Sequence, residues 1–143
     1  MVERFVAGDL LDDALRTARE LRSLGISSIL DYLGEHCTSS AQADAILQSY
    51  TSHLKRVAAE EVSGHISVKL TQLGLDLSFD DCLRRAEALC RAAESEGVTV
   101  AIDMDSHEYT ESTIEIYGRL RTGHSKLVLC LQSYLRRTAE DVQ

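Results

Sequence analysis

Apolar residues recur along the chain in two alternating rhythms. Over 10–25, LLDDALRTARELRSLG places Leu10, Leu11, Ala14, Leu15, Ala18 and Leu21 at helical spacing, with Asp9 as the expected N-cap and Gly25 as the stop. ISSILDYL, 26–33, is rich in β-branched and aromatic residues and reads as a strand. A long amphipathic helix follows over 40–62, capped by Thr38, Ser39 or Ser40, then the strand HISVKL, 65–70. The segment 78–97 opens on the capping-box pattern Ser78…Asp81 and closes on Gly97. VTVAIDM, 98–104, reads as a near-continuous buried strand, 110–123 as a helix with a glycine stop, and KLVLCLQSYL, 126–135, as a fourth strand.

One strand–helix unit therefore recurs four times, which predicts an α/β fold: a parallel sheet covered by helices, its strands apolar on both faces. Each predicted strand runs into polar residues: Asp31 and Glu35, Lys69 and Thr71, Asp103 and Asp105, and Gln132. Ligands of α/β folds gather at the C-terminal ends of strands. One polar group per strand suits a ring around a common mouth, as in a (β/α)8 TIM-like barrel, better than the crevice of a doubly wound sheet. A closed barrel needs eight such units in about 250 residues. The expectation is a half-barrel of about four strands with two unpaired edges and an apolar inner face, residues 1–143 forming the N-terminal half of one barrel domain. RTAED, 137–141, reads as a further capping-box start, Thr138…Asp141.

Composition narrows the chemistry. The 143 residues carry a net charge of −8 and no Trp. No basic patch with interleaved aromatics is present, so nucleic-acid binding is not expected. No apolar run approaches the ~20 residues of a membrane span. Glu3, Asp9, Asp12 and Asp13 make the N-terminus unlike a secretory signal, and Cys37, Cys82, Cys90 and Cys130 form no CxxC pair. These features predict a cytoplasmic protein with reduced thiols.

Lys69 lies between Val68 and Leu70 in an otherwise apolar strand. Three readings stand: a structural lysine that snorkels to water or pairs with a carboxylate, a cation that holds a substrate carboxylate or phosphate, or a Schiff-base lysine of a barrel lyase. A buried ammonium needs an anion, and Asp103 supplies one if its strand is adjacent. Asp103 is equally a candidate ligand or base, or a cap or loop ion pair. The Gln132 amide, able to donate and accept, suits a flavin or purine edge or a satisfied core. Gly74 reads as a turn residue. His36, His53, His65, His107 and His124 show no metal-binding spacing, and neither the dinucleotide GxGxxG nor a P-loop occurs. No metal site is assigned.

At these residues the chain resembles the bacterial monofunctional proline dehydrogenases. The matching runs are RFVAGDLLDDAL, ISSILDYLGE, SVKLTQLGLDL, IDMDSHEYTESTIEIY and LVLCLQSYLRRTAEDV, from Arg4 to Val142. They come in the order and spacing of the family, although Asp105-Ser106-His107 stands where an acidic pair is common. The resemblance implies an FAD-dependent barrel that oxidises L-proline to Δ1-pyrroline-5-carboxylate and passes the electrons to a quinone acceptor, with peripheral membrane contact in full-length members. It implies that Lys69 binds the proline carboxylate, that Asp103 lies beside it at the catalytic centre, and that Met104 and Gln132 line the isoalloxazine. A half-barrel alone is expected to self-associate as a homo-oligomer or to fold poorly; a non-catalytic, self-associating remnant is the remaining alternative.

Overall fold

A computed structural model describes residues 6–60 and 64–142. Helix α1 (Leu11–Ser23) precedes four strand–helix units: β1 (Leu30–Asp31) with α2 (Ser40–Ala59), β2 (His65–Lys69) with α3 (Phe79–Ser95), β3 (Thr99–Asp103) with α4 (Thr110–Arg121), and β4 (Leu127–Leu129) with the short α5 (Thr138–Asp141). The strands are all parallel and lie in the order β1-β2-β3-β4. Sequential order with crossovers of one hand places the helices on one face of the sheet. This is the winding of half a (β/α)8 barrel; a doubly wound sheet reverses its strand order.

The two faces of the sheet differ in chemistry. Ile66, Val68, Val100, Ile102 and Leu127 point at the helices and join Leu54, Val57, Leu89, Ile116 and Leu120 in one core. By strand alternation, Ser67 and Lys69 of β2, Ala101 and Asp103 of β3, and Val128 of β4 form the other face. The sheet is thus not apolar on both faces, and the expected apolar inner face is instead made mostly of small and polar residues, with Val128 its apolar member. Small side chains there leave room above the sheet, and charged ones make that room wet.

Local chemistry sets the ends of the elements. Ser39 caps α2 by accepting from the Gln42 amide, and Ser78 caps α3 by accepting from the Asp81 amide. Leu10, not Asp9, is the N-cap of α1 and makes no side-chain cap; Asp12 and Asp13 sit in the first turn, where carboxylates favour the positive helix end. The Ile26 amide reaches back to Leu21 O and the Gly25 amide to Arg22 O, a Schellman closure. Helix α2 stops at Ala59, short of the expected 62; residues 61–63 lie outside the described residues, as do Glu3 and Arg4. The outer strands are much shorter than expected, two residues in β1 and three in β4, because each is an edge that pairs on one side only. Gln132 consequently sits three residues beyond β4, in the following turn. Thr138 lies inside α5 rather than capping it: its hydroxyl donates to Gln132 O at 2.6 Å, and Arg137 is the N-cap.

Two buried polar side chains join these layers. The Arg85 guanidinium, on α3, donates from Nε to Asp44 (2.6 Å), from Nη2 to Ser40 Oγ (2.5 Å) and from Nη1 to Leu73 O (3.2 Å). It fastens the start of α2 and the turn after β2 onto α3. That turn, Leu70–Leu73, is a single 3-10 turn closed by Gly74 at φ 91°. A side chain at Gly74 would be strained by the left-handed backbone, and its Cβ would meet Arg85 Nη1 at 3.1 Å. The second is Gln72, 1% exposed. Its Oε1 accepts from the Lys69 amide (3.2 Å) and lies 3.0 Å from the Tyr50 hydroxyl, while its Nε2 donates to Tyr32 O (2.6 Å).

Substituting Gln72→Ala removes the donor to the Tyr32 carbonyl and the side-chain acceptor of the Lys69 amide, while the Tyr50 hydroxyl keeps the Ser67 carbonyl at 3.0 Å. It is expected to lower unfolding free energy in urea by about 2–4 kcal/mol. Gly74→Ala is expected to cost about 1–3 kcal/mol in the same measurement, from backbone strain.

Candidate active site

The sequence-predicted polar groups gather at the C-terminal ends of the strands. Lys69 and Asp103, last residues of the two interior strands, are register partners. Lys69 is therefore not an edge lysine, and its side chain is only 21% exposed. The anion on its ammonium, however, is not Asp103. Lys69 Nζ pairs with Glu35, which the β1–α2 loop brings across the end of β2. Asp103 faces inward on the next strand but turns Oδ1 to its neighbour, accepting from the Met104 amide at 3.0 Å. The cradle expected of Lys69 and Asp103 is thus a three-strand arrangement in which Glu35 makes the direct contact.

Carboxylates surround this one ammonium. Asp31 faces it from β1, and desolvation raises its pKa, with Lys69 opposing and Asp103 adding to the rise. Asp105, 6% exposed, is raised chiefly by desolvation, against the hydrogen bond it accepts from the Thr71 amide at 3.2 Å. The hydrogen bond to Glu35 raises the Lys69 pKa against desolvation, and lowers that of Glu35. Lys69 is therefore held as an ammonium, the opposite of what a Schiff-base nucleophile requires.

Successive loops are stitched in a chain around this mouth. The Cys37 amide of the first donates to Thr71 O of the second (3.3 Å), the Thr71 amide to Asp105 of the third, and Gln132 Nε2 of the fourth to Asp105 O (3.0 Å). Gln132 thereby sits against the same loop as Met104, which is 6% exposed. Gln132 Oε1 is buried and makes no hydrogen bond among the described residues. The structure thus brings Lys69, Asp103, Met104 and Gln132 to one end of adjacent strands.

Several residues here escaped sequence reasoning. Glu35 appeared only as one polar residue among many, and Gln72 and Asp105 not as buried anchors. Cys130 continues the β4 ladder, its amide donating to Ile102 O at 2.9 Å. Desolvation and the nearby Asp103 carboxylate push its thiol pKa up. His36, of the Glu35 loop, bonds to Asp76 at 2.8 Å. No spacing in the sequence announces contacts made across loops 27 to 40 residues apart. All four cysteines are free thiols, and no cluster of potential metal ligands occurs among the described residues. Nor does any described helix have the length and apolarity to cross a membrane.

Comparison with known proteins bears on what this arrangement does. A family model described as proline dehydrogenase matches residues 14–143. The chain is 34% identical over 140 residues to proline dehydrogenase 1 of Bacillus subtilis, covering 98% of this chain and 46% of that protein. It is 29% identical to the proline dehydrogenase of Deinococcus radiodurans, covering 99% of this chain and 47% of that protein. The chain thus spans about half the length of the curated relatives it matches. Among solved structures, proline utilization A of Bdellovibrio bacteriovorus, inactivated by N-propargylglycine, superposes with a TM-score of 0.86 at 22% identity, over 98% of this chain and 18% of that one. That of Corynebacterium freiburgense gives 0.79 at 18% identity, over 100% of this chain and 16% of that one. These two matches establish the shared fold.

Glu35→Gln is expected to bring the Lys69 pKa down toward the ordinary 10.5, read by NMR titration of the lysine side chain. Because the folded pKa is raised, the pair stabilises the loop below the ordinary lysine value. That contribution fades as pH climbs through the raised one. The Glu35→Gln protein should lose this alkaline dependence.

Proposed function

The chain belongs to the proline dehydrogenase family, and from that premise we propose that residues 1–143 supply the N-terminal half of a barrel domain that oxidises L-proline to Δ1-pyrroline-5-carboxylate with FAD. The observation that carries this reading is the Lys69 ammonium on an interior strand end, beside Asp103 and within one loop chain with Gln132. Oxidation of the imino acid removes a hydride from a ring carbon and a proton from the ring nitrogen. The substrate therefore brings a carboxylate that needs a fixed cation, and a nitrogen that needs a nearby carboxylate.

Lys69 binds the proline carboxylate. Since Glu35 already pairs with that ammonium, the incoming carboxylate exchanges with Glu35 rather than adding to a free cation. Asp103, one strand over, orients the ring nitrogen and accepts its proton; Ser67 and Ala101 leave the floor low enough for a five-membered ring. The residues present fit a flavin: the buried Gln132 Oε1, unpaired among the described residues, is an acceptor that a flavin ring N–H would satisfy, and Met104 adds an apolar side chain on the loop that Gln132 Nε2 holds. FAD bound there would supply the hydride acceptor and the route of the electrons to a quinone. The remaining assignments are a cytoplasmic location, peripheral membrane contact for quinone access, and a homo-oligomer that covers the open β1 and β4 edges. The lyase alternative is not favoured, because Glu35 keeps the Lys69 amine protonated.

The test is proline-dependent reduction of bound flavin, followed by its absorbance, in the polypeptide that carries this sequence. Lys69→Met is expected to raise the KM for proline about tenfold to a hundredfold, the worth of one charge-assisted hydrogen bond. Asp103→Ala is expected to lower kcat chiefly. Proline that leaves the flavin oxidised, or a Lys69→Met protein with unchanged KM, would refute the reading.

A further inference from the structure

The β1–α2 loop places Glu35 on Lys69, yet nothing within the loop explains why it stays there. Its backbone is unfavourable at one point: His36 adopts φ 52°, the left-handed region, without being glycine. Such a conformation persists only where surrounding contacts over-determine it. Those contacts come from two other loops. His36 Nδ1 lies 2.8 Å from Asp76 Oδ2, in the segment between the 3-10 turn and α3. The His36 ring packs against Tyr109 of the third loop at 5.9 Å between centroids. The Tyr109 phenol lies close enough to the same Asp76 carboxylate for each to shift the other's pKa. His36 is thus held between Asp76 of the second loop and the Tyr109 ring of the third, and the residue next to it holds Lys69.

We propose that His36 is a positioning residue for Lys69: protonated, it clamps the β1–α2 loop onto Asp76 and keeps Glu35 on the ammonium, and on losing its proton it keeps at most a neutral hydrogen bond to Asp76 and loosens the loop. The assignment rests on the proposed function only in taking Lys69 as part of the binding site.

The groups that face His36 are nearly all acidic. Glu35 is on its own loop, Asp76 on the second, and Asp105 and Tyr109 on the third. Tyr109 is kept neutral, its phenol pushed to about 12 by the bond to Asp76 and by burial. The nearby cations are engaged elsewhere, Lys69 on Glu35 and Arg85 on Asp44. The hydrogen bond to Asp76 raises the His36 pKa above its ordinary 6.5, against desolvation. For Asp76, burial pushes upward, but the bonds from Tyr109 and His36 prevail and its pKa is lowered. Asp76 is therefore ionised throughout the range in which His36 titrates. A raised histidine pKa means that the docked loop is favoured fully below the released-state value. That preference disappears as pH rises through the docked-state value.

Amide hydrogen exchange tests this without reference to proline oxidation. Protection factors, which divide out base catalysis, are followed from about pH 5 to about pH 8. The Cys37 amide, bonded to Thr71 O, is the natural reporter. Its protection is expected to fall with rising pH by about tenfold per unit of difference between the docked and released pKa of His36, while the interior-strand amides of Ile66–Val68 stay level. His36→Asn keeps a residue that tolerates the left-handed backbone and an amide donor for Asp76, but cannot titrate. It is expected to give a flat profile, and Asp76→Asn to lower the His36 pKa measured by NMR. A flat wild-type profile, a step that survives in His36→Asn, or an equal loss in the β2 amides would each overturn the clamp. A protein that shows the step but does not oxidise proline would sink the proposed function and leave the clamp standing.

Discussion

The buried carboxamide of Gln72 is the constraint on which the mouth of the sheet depends. It lies where three pieces of chain meet: the last residue of β2, the loop after β1, and the middle of α2 at Tyr50. A polar backbone group left without a partner there would cost more than a typical hydrogen bond contributes. Gln72 answers with one acceptor and one donor, taking the Lys69 amide and giving to the Tyr32 carbonyl, with Tyr50 completing the set. Because the Lys69 backbone is tied in this way, its side chain leaves the strand in one direction. Arg85 and Gly74 do the same for the far side of that turn. The close approach of guanidinium to glycine leaves no slack for the loop to shift. The site is therefore positioned by polar groups with no role in the chemistry proposed for it.

Above that frame, the electrostatics are lopsided. One ammonium, Lys69, faces Glu35, Asp31, Asp103 and Asp105. In isolation such a site repels anions, and the carboxylate-binding role proposed for it depends on the local geometry. Glu35 comes from a loop, whereas the other three carboxylates are set by strands or buried bonds, so Glu35 is the one free to leave. Under the proposed clamp, the contacts that hold its loop, rather than the strands, would govern access to the cation.

Much of the architecture was legible in the residues. Serine caps at Ser39 and Ser78, glycine stops at Gly25 and Gly97, and buried apolar runs at Ile66–Val68 and Val100–Ile102 are local signals, and each produced its element. The errors came where local signals compete with pairing. ISSILDYL has strand composition across eight residues, but an edge strand with one neighbour keeps only Leu30 and Asp31 in the ladder. The Thr138…Asp141 pattern looked like a cap, yet the Thr138 hydroxyl found Gln132 O in the tertiary fold first. The inner face of the sheet was misjudged because Ser67 and Ala101 read as neutral within an apolar run, and only their shared face shows that they open a floor.

By itself the chain determined its helices, its strand–helix alternation and the polar residues at its strand ends, since these follow from side-chain periodicity and capping over a few neighbouring residues. Tertiary structure alone decided which of those polar residues meet. Lys69 had Asp103 as its evident partner along the sequence, and the register does set them side by side. The ammonium went instead to Glu35, because a loop held by Gln72, Thr71 and Asp76 carries that carboxylate over the strand end, while Asp103 is taken by its own neighbour's amide. Pairings of this kind depend on loop paths closed over tens of residues, and no local pattern encodes them.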